Sequence, residues 1–384
     1  MSGGARPTGR RLGREDLVVV GHPFSPIGMG EHLRSTVQAL AAVGLDPAVL
    51  DVFGRRRGQD HDLEQRFGPR VTVSLSERIN LFCVNGDEIE TVMDQLPAER
   101  FAKARNIIFP AWELPDYPEV WARRLAAFDE IWAPSSFVQD GLARATGRPV
   151  ARIPLAVDLK LSTFLGRRRF GIPEHAFVAL FAFDFSSFAS RKNPQAVLQV
   201  VEDLLRRRPR APLHLVIKFK GGDPKDPARQ ALQARIASLG DRVQTISHDM
   251  TDNEVKNLIR CADLFISLHR SEGFGRGMAE AMALGTPVLA TGWSGNMDFM
   301  DESCAWLVPY ALTPTPPDAY PFGKGQVWAE PDVDQAVRQL EAILDDPAEA
   351  RRRAALARRK ISARFSARAV GLEAADRLLA LAEA

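Results

Sequence analysis

The chain has 384 residues, of which 45% are hydrophobic, 26% charged and 8% aromatic, which is typical of a globular protein with two domains or three small ones. Its formal charge of +2 argues against a nucleic-acid binder, because binding to phosphate backbones requires a basic excess. The polar start lacks the apolar core of a secretory signal, and no apolar run reaches the roughly 18 residues of a membrane span. We therefore expect a cytoplasmic protein and leave peripheral contact with the inner face of a membrane open.

Short apolar runs alternate with segments of helical period, a pattern that predicts βα units around parallel sheets. The strands predicted in the first half are Leu17–Val20, Ala48–Phe53, Ile79–Val84, Asn106–Phe109, Glu130–Ala133 and Ile153–Leu155. Those predicted in the second half are Phe177–Phe183, Leu213–Phe219, Val243–Ile246, Asp263–Leu268, Val288–Ala290 and Trp306–Val308. Two open α/β sheets predict a cleft between them, with ligands beyond the carboxyl ends of the strands.

Composition also indicates where the chain is not regular. Residues 1–15 are predicted to be a disordered basic tail. The basic stretch 158–175, which contains Gly and Pro, is interpreted as the linker between two domains, 16–160 and 161–364. The stretch 313–326 is so rich in proline that we predict a loop there.

The first strand is followed by a loop that contains Gly28 and Gly30, and we predict a helix from about Glu31. Glycine lets a backbone approach a diphosphate closely, and the free N–H groups at a helix start favour negative charge. Leu33 stands where the dinucleotide-binding fingerprint has its third glycine, so that fingerprint is absent. A tight turn and a substrate-facing loop both remain open.

A basic pair follows the first predicted strand of the second half. Arg191 and Lys192 directly precede Asn193 and Pro194, which form a good helix opening. Two cations at a strand's carboxyl end are placed to neutralise a diphosphate. Alone, such a pair is more often surface charge, but its combination with the glutamates described next favours an anion site.

The most informative motif combines two carboxylates with glycines. Glu272 lies in a loop with Gly273, Gly275 and Gly277, and Glu280 lies one turn inside the following helix. A carboxylate accepts hydrogen bonds from neighbouring hydroxyls, so two of them on one rim suit a ribose and a hexose. The helix start between them suits a phosphate. The alternative is an ordinary helix start, where acids are favoured, with a solvated loop acid before it.

The segment SEGFGRGMAEAMALGTPVLAT resembles the two-glutamate region of the retaining GT-B glycosyltransferases of family 4, the "group 1" glycosyl transferase domain. The RKNP loop, the GMG loop and the segments WELP and DEIWAPSSFV are similar to that family in type and order. The resemblance implies an α/β protein of GT-B fold, with two Rossmann-like domains and parallel sheets facing across a cleft. Domain 16–160, joined by the final helix 365–384, is expected to bind an acceptor, and domain 161–364 a nucleotide-sugar donor.

The resemblance also implies roles for individual residues. Glu280 resembles the family's ribose ligand, Glu272 its donor-sugar ligand and Lys192 its diphosphate ligand. Arg191 is interpreted as a substitute for a phosphate-binding arginine that the family often has just after that strand. Glu272, Lys192 and Arg191 are the predicted catalytic residues. Besides Glu280, the predicted donor-binding residues are Gly28, Gly30, His269, Gly273, Phe274, Gly275, Arg276, Gly277 and Asn296. The predicted acceptor contacts are His32, Glu113 and Asn85, each with a structural role as the alternative.

The expected activity is transfer of a hexose from a GDP- or UDP-sugar to a hydroxyl of a glycan, glycolipid or small molecule, with retention and in polysaccharide biosynthesis. No His, Asp and Glu cluster has metal-ligand spacing, so we expect metal-independent catalysis with no cofactor besides the nucleotide sugar. Two alternatives remain open. One is a sugar-nucleotide epimerase on the same fold, and the other is a non-catalytic glycan-binding subunit.

Overall fold

The computed structural model describes residues 12–54 and 57–383. The first eleven residues of the predicted basic tail therefore lie outside the described residues. The described chain forms two lobes, each built on one parallel sheet. We call the lobe with the sheet of residues 17–152 the first lobe and that with the sheet of residues 177–308 the second lobe. This architecture confirms the predicted fold class, while the domain boundaries stay predictions.

The sheet of the first lobe has seven parallel strands in the order β3-β2-β1-β4-β5-β6-β7. The strands are β1 (Leu17–Gly21), β2 (Ala48–Asp51), β3 (Val71–Thr72), β4 (Ile79–Phe82), β5 (Arg105–Ile108), β6 (Glu130–Ala133) and β7 (Val150–Arg152). The order reverses between β1 and β4. A crevice for ligands is expected outside the carboxyl ends of strands at such a point.

The second lobe repeats this plan with six parallel strands in the order β10-β9-β8-β11-β12-β13. They are β8 (Phe177–Asp184), β9 (Leu213–Lys220), β10 (Val243–Ile246), β11 (Leu264–Ser267), β12 (Val288–Thr291) and β13 (Trp306–Val308). Here the order reverses between β8 and β11. The predicted basic pair follows β8 and the predicted glutamate loop follows β11, so the topology brings the two together.

Helices connect the strands and cover the sheets. In the first lobe they are α1 (Gly28–Ala42), α2 (His61–Phe67), α3 (Ile89–Asp94), α4 (Ala98–Lys103), α5 (Glu119–Arg124) and α6 (Ser136–Thr146). After β8 they are α7 (Ala189–Lys192), α8 (Pro194–Arg207), α9 (Pro227–Ser238), α10 (Asp252–Cys261), α11 (Arg276–Leu284), α12 (Val333–Asp345), α13 (Pro347–Arg364) and α14 (Ala367–Glu383). The start of α8 is the one predicted, because the Asn193 side chain accepts a hydrogen bond from the Ala196 N–H.

Two predicted elements are wrong in position. The strand predicted at Ile153–Leu155 is Val150–Arg152 instead, because Pro154 has no N–H to offer a neighbouring strand. The helix predicted from about Glu31 begins at Gly28, since the Glu31 N–H already donates to the carbonyl of Ile27. Gly28 and Gly30 therefore lie in the first turn of α1 rather than in a loop.

An antiparallel hairpin follows the second sheet and was not predicted. Strands β14 (Tyr310–Pro314) and β15 (Val327–Pro331) pair along their whole length. The loop predicted over residues 313–326 therefore begins too early, because Thr313 and Pro314 belong to β14. We call residues 315–326, which connect the two strands, the hairpin loop.

The last helix returns to the first lobe. Helix α14 packs along α1 so closely that a Cβ atom on Gly371 would lie 2.1 Å from the carbonyl oxygen of Ala39. Arg377 of α14 also donates two hydrogen bonds of 2.7 Å to the carboxylate of Glu130 in β6. Helix α14 thus follows the second sheet along the chain but packs on the first lobe, so it connects the two lobes.

Candidate active site

The glutamate loop lies between the carboxyl end of β11 and the start of α11. Gly275 precedes the helix with a φ of +91°, a conformation that glycine adopts without steric cost. Gly273 permits a close approach of the first lobe, since a Cβ atom there would lie 2.5 Å from the carbonyl oxygen of Trp112. The Ser135 hydroxyl, also from the first lobe, donates to the Gly273 carbonyl at 2.5 Å. The loop is therefore part of the contact between the lobes.

The structure brings Glu272, Lys192 and Arg191 together with Glu113 of the first lobe, and we call these four residues the Glu272 cluster. Lys192 Nζ lies 2.5 Å from Glu272 Oε1, and Arg191 Nη1 lies 3.0 Å from Glu272 Oε2. Arg191 Nη2 is 3.4 Å from Glu113 Oε1. Arg191 is 2% exposed and Glu272 8%. Charges from both lobes thus meet in a site that is largely closed to water.

Burial and charge act in opposite directions in this cluster. Burial alone would raise the pKa of Glu272, but the charges of Lys192 and Arg191 outweigh it and lower that pKa to about 2. Burial lowers the pKa of Lys192, and the neighbouring charge of Arg191 lowers it further. Burial also disfavours the charge of Arg191, yet Glu272 and Glu113 raise its pKa. Glu272 is therefore a carboxylate at neutral pH.

Two buried donors of the cluster and its neighbour have no acceptor among the described residues. They are Nε of Arg191 and Nδ2 of Asn193, the residue at the start of α8. Buried polar groups are nearly always hydrogen-bonded, so unpartnered donors call for an explanation. A ligand with acceptor oxygens, such as a phosphate, fits both donors and the two neighbouring cations.

His269 and Asn296 lie behind the glutamate loop and bond to each other, with His269 Nε2 at 3.1 Å from Asn296 Oδ1. Both side chains are fully buried. Burial lowers the pKa of His269. The amide of Asn296 also donates to the carbonyl of Thr291 at 3.0 Å. These hydrogen bonds hold both side chains in place beside the glutamate loop. Contact of either residue with a donor stays a prediction.

The structure also places the remaining residues of the glutamate segment. The ring of Phe274 packs in the core, 5.2 Å from the ring of Phe299 and 6.1 Å from that of Phe365. A Cβ atom on Gly277 would meet the Phe265 ring at 3.1 Å. These two positions shape the segment through packing.

Glu280 belongs to a second ionic group, in which Arg276 links the lobes. Arg276 Nη1 lies 3.8 Å from Glu280 Oε1 and 3.7 Å from Glu31 Oε1 of α1. Arg276 Nη2 donates to the Ser35 hydroxyl at 2.8 Å. Burial raises the pKa of Glu280 to about 7 despite the positive charge of Arg276. The two glutamates of the motif thus have separate partners and opposite electrostatic environments.

The predicted contacts of the first lobe lie in different surroundings. His32 is 2% exposed and packs edge-on against the ring of Phe109; burial and the charge of Arg276 lower its pKa to about 3. Asn85 accepts a hydrogen bond from the Ala111 N–H at 3.1 Å and so shapes the loop after β5. Glu113, by contrast, is part of the Glu272 cluster.

The helix-start glycines also differ from each other. Gly28 has open space where a Cβ atom would lie, whereas a Cβ atom on Gly30 would lie 2.2 Å from the carbonyl oxygen of Ser25. Gly30 is therefore required by the tight entry into α1.

Sequence reasoning missed two residues that bind the site together. Ser294 accepts a hydrogen bond from the Glu272 N–H at 2.9 Å, and the Tyr320 hydroxyl of the hairpin loop donates to Glu113 Oε2. Ser294 stands two residues before Asn296, for which the resemblance implies a donor-binding role. Tyr320 carries no signal in the sequence, because its partner is far away along the chain.

Two Rossmann-like lobes with a charged site between them define the architecture of GT-B glycosyltransferases. The model of the family "Glycosyl transferases group 1" matches residues 167–360, about half of the chain, and the chain belongs to this family. The recognition made from the sequence is thereby confirmed.

Solved structures share the fold over nearly the whole chain. HepE from Anabaena in complex with UDP and glucose superposes with a TM-score of 0.70 at 14% identity, covering 95% of this chain and 100% of that one. Sucrose-phosphate synthase from Thermosynechococcus elongatus gives a TM-score of 0.68 at 17% identity, covering 97% of this chain and 99% of that one. At these identities the likeness shows the fold alone.

Curated relatives match over shorter stretches. Mannosylfructose-phosphate synthase from Agrobacterium fabrum is 34% identical over 128 residues, which are 33% of this chain and 27% of that protein. D-inositol 3-phosphate glycosyltransferase 1 from Catenulispora acidiphila is 29% identical over 182 residues, 44% of this chain and 43% of that protein. The match thus spans less than half of either relative.

Two searches of the described residues bear on metals and membranes. Among residues 12–54 and 57–383, no three His, Cys, Asp or Glu side chains are grouped so as to hold a metal ion. Within the same part of the chain, none of the helices has the length and apolar character needed to span a bilayer.

Proposed function

We propose that the protein is a retaining glycosyltransferase, which moves a hexose from a nucleotide-diphosphate sugar to a hydroxyl of an acceptor. One observation carries the proposal beyond family membership. Glu272, Lys192 and Arg191 form a buried ionic group at the carboxyl edge of the second sheet, directly against the first lobe. Burying charges is costly in free energy. A buried ionic group whose donors lack hydrogen-bond partners therefore fits a role in ligand binding better than a role in stabilising the fold.

The second lobe holds the donor in this proposal. Lys192 and Arg191 neutralise the diphosphate, and the unpartnered donors of Arg191 and Asn193 supply further hydrogen bonds to its oxygens. The bound diphosphate balances part of the positive charge of Lys192 and Arg191, which Glu272 balances in the structure. The carboxylate of Glu272 is then available to accept hydrogen bonds from hydroxyls of the hexose. Glu280 binds the ribose in the same way.

The chemistry follows from these placements. In the step that the resemblance to the family implies, the acceptor oxygen bonds to the anomeric carbon on the face that the diphosphate leaves. The bond from the anomeric carbon to the diphosphate oxygen breaks, and negative charge develops on the diphosphate. Fixed cations in a water-poor site stabilise that charge, and removing one group of this kind typically costs about 100- to 1,000-fold in kcat. An oxygen of the leaving group takes the proton of the acceptor hydroxyl, so that no separate general base is required.

The first lobe presents the acceptor through Glu113, Asn85 and His32. We propose UDP-glucose as the first donor to test, because HepE is seen with UDP and glucose. Glycans and glycolipids remain the proposed acceptors, and the inositol phosphate in the name of one relative adds a small-molecule candidate. We further propose a cytoplasmic enzyme that needs no metal ion or other cofactor.

The test compares Lys192→Ala with the wild type and with Lys360→Ala. Lys360 lies on α13 and forms an ion pair with Asp301. We expect Lys192→Ala to lower transfer at least about 100-fold in a variant that still folds. Lys360→Ala should transfer like the wild type. Equal turnover by Lys192→Ala and the wild type contradicts the proposal. An isomerised donor formed without acceptor would identify an epimerase, and donor binding without any turnover a non-catalytic subunit.

A further inference from the structure

The hairpin loop belongs to the second lobe but is anchored on the first. Tyr320 is 6% exposed and lies in the hydrophobic core of the first lobe, with its ring 5.4 Å from that of Trp112. Gln326 fixes the far end of the loop. Its Oε1 accepts from the Asp116 N–H at 2.9 Å, and its Nε2 donates to the Asp116 carbonyl at 2.9 Å. The loop therefore bridges the cleft at two points.

Tyr320 also reaches the Glu272 cluster. Its hydroxyl donates to one carboxylate oxygen of Glu113, whose other oxygen faces the guanidinium of Arg191. The centre of that guanidinium lies 6.0 Å from the centre of the Tyr320 ring, within the range of a cation–π contact. Glu113 is thus held between Tyr320 on one side and Arg191 on the other.

The backbone beside Tyr320 is strained. Phe188, whose ring lies 4.8 Å from that of Tyr320, has a φ of +63°, and Phe322 has a φ of +55°. A positive φ in a bulky residue is unfavourable and persists only where surrounding contacts enforce it. Strain of this kind collects at functional sites, and here it flanks the point where the hairpin loop meets the charged cluster.

We propose that the hairpin loop is a clamp that holds the lobes closed over the Glu272 cluster, and that Tyr320 is a positioning residue, which fixes Arg191 for the transfer step through Glu113. The hairpin lies within the residues that the family model matches but forms a two-stranded sheet of its own, separate from the second sheet. The inference rests on the proposed function for its catalytic part. Its structural part, the clamp itself, stands without that function.

The catalytic part predicts a specific kinetic signature. Tyr320→Phe keeps the buried ring but removes the hydroxyl, so Glu113 and Arg191 lose their fixed orientation. We expect kcat for transfer to fall about tenfold with the KM for UDP-glucose nearly unchanged, because a misplaced group lowers the transition-state contact more than ground-state binding. Loosened closure admits water, so the ratio of donor hydrolysis to transfer should rise.

The structural part is tested without any activity. Gln326→Ala removes the acceptor of the Asp116 N–H, so hydrogen exchange at that amide should accelerate about fivefold, the equivalent of one hydrogen bond. Leu312→Ala, which changes an exposed residue of β14 away from the clamp, is the matched control and should leave exchange and kinetics unchanged.

The outcomes separate the two proposals. If the wild type turns over no donor but Gln326→Ala still accelerates exchange, the proposed function fails and the clamp survives. If transfer occurs and is abolished by Lys192→Ala, while Tyr320→Phe keeps the wild-type kcat and hydrolysis ratio, Tyr320 is not a positioning residue. Exchange at Asp116 that is the same in Gln326→Ala and the wild type overturns the clamp.

Discussion

Glu272 and Glu280 lie in one short segment, yet their surroundings shift their pKa values in opposite directions. Two cations lower the pKa of Glu272 to about 2, whereas burial raises that of Glu280 to about 7. Two carboxyls with separated pKa values are suited to different tasks. At neutral pH Glu272 is an acceptor of hydrogen bonds, while Glu280 exchanges a proton and can both donate and accept.

The shift of Glu280 predicts how stability depends on pH. Its pKa is 4.5 in an unpaired state and about 7 in the fold, so the folded state holds the proton more tightly. Stability is therefore highest below pH 4.5 as far as this group is concerned, and declines as the pH rises toward 7. Relative to the wild type, Glu280→Gln should be similar at pH 5 and more stable by roughly 1–3 kcal/mol at pH 8.

Urea unfolding at both pH values measures this difference. Glu302→Gln changes an exposed carboxyl and serves as the control. A Glu280→Gln variant whose advantage over the wild type is the same at pH 5 and pH 8 would show that Glu280 is not the titrating group.

The sequence predicts that Glu272, Lys192 and Arg191 belong to one site, but it does not predict the contact of Tyr320 with Glu113. Residues that follow neighbouring parallel strands meet at one sheet edge, so the pairing of β8 with β11 brings the first three together. Tyr320 and Glu113 lie 207 positions apart on different lobes. Their contact depends on how the lobes are oriented, which no local pattern records.

At the scale of elements, apolar runs located the buried strands but not the hairpin. Strands such as β1 and β11 are buried on both faces and therefore stand out as continuous apolar segments. Strand β14 is exposed along most of its length and ends at a proline, so it has neither the apolar run nor the alternation that predicts a strand. Its pairing with β15 is a tertiary property.

The start of α8 yields a prediction about an element. Asn193 caps the helix with its side chain and has a φ of +54°, a conformation that asparagine tolerates better than alanine. Asn193→Ala loses the cap and gains strain, and should cost roughly 2 kcal/mol. Asn193→Gly removes the strain and should cost less than about 1 kcal/mol.

A second cap separates the two effects. Asp332 caps α12 at a φ of −72°, so Asp332→Ala loses a hydrogen bond without gaining strain and should cost about 1 kcal/mol. In urea unfolding, Asn193→Gly should therefore have the highest free energy of unfolding of the three variants, Asp332→Ala the next and Asn193→Ala the lowest. Equal stability of the Ala and Gly variants at Asn193 would rule out the contribution of backbone strain.

At the scale of the whole molecule, three of the contacts that join the lobes lie at separate places. The hairpin loop bridges them on one side of the cleft, Arg276 bridges them near α1, and α14 runs back from the second lobe along α1. The first two lie beside the candidate site, and the proposed function therefore predicts that they loosen when substrates enter. The packing of α14 on α1, where Gly371 meets Ala39, is our candidate for a permanent hinge.

The variant Gly371→Ala tests the packing of α14 on α1. Alanine favours a helix over glycine by about 1 kcal/mol, but a Cβ atom 2.1 Å from the Ala39 carbonyl would force α14 away from α1. We expect Gly371→Ala to destabilise the protein by roughly 1–2 kcal/mol, because overpacking outweighs the gain in helix propensity. Hydrogen exchange should accelerate in α14 and α1 while the strands of the second sheet keep their protection. Glu373→Ala, at an exposed position of the same helix, should change neither quantity. A Gly371→Ala variant as stable as the wild type would mean that α14 does not pack on α1 in solution.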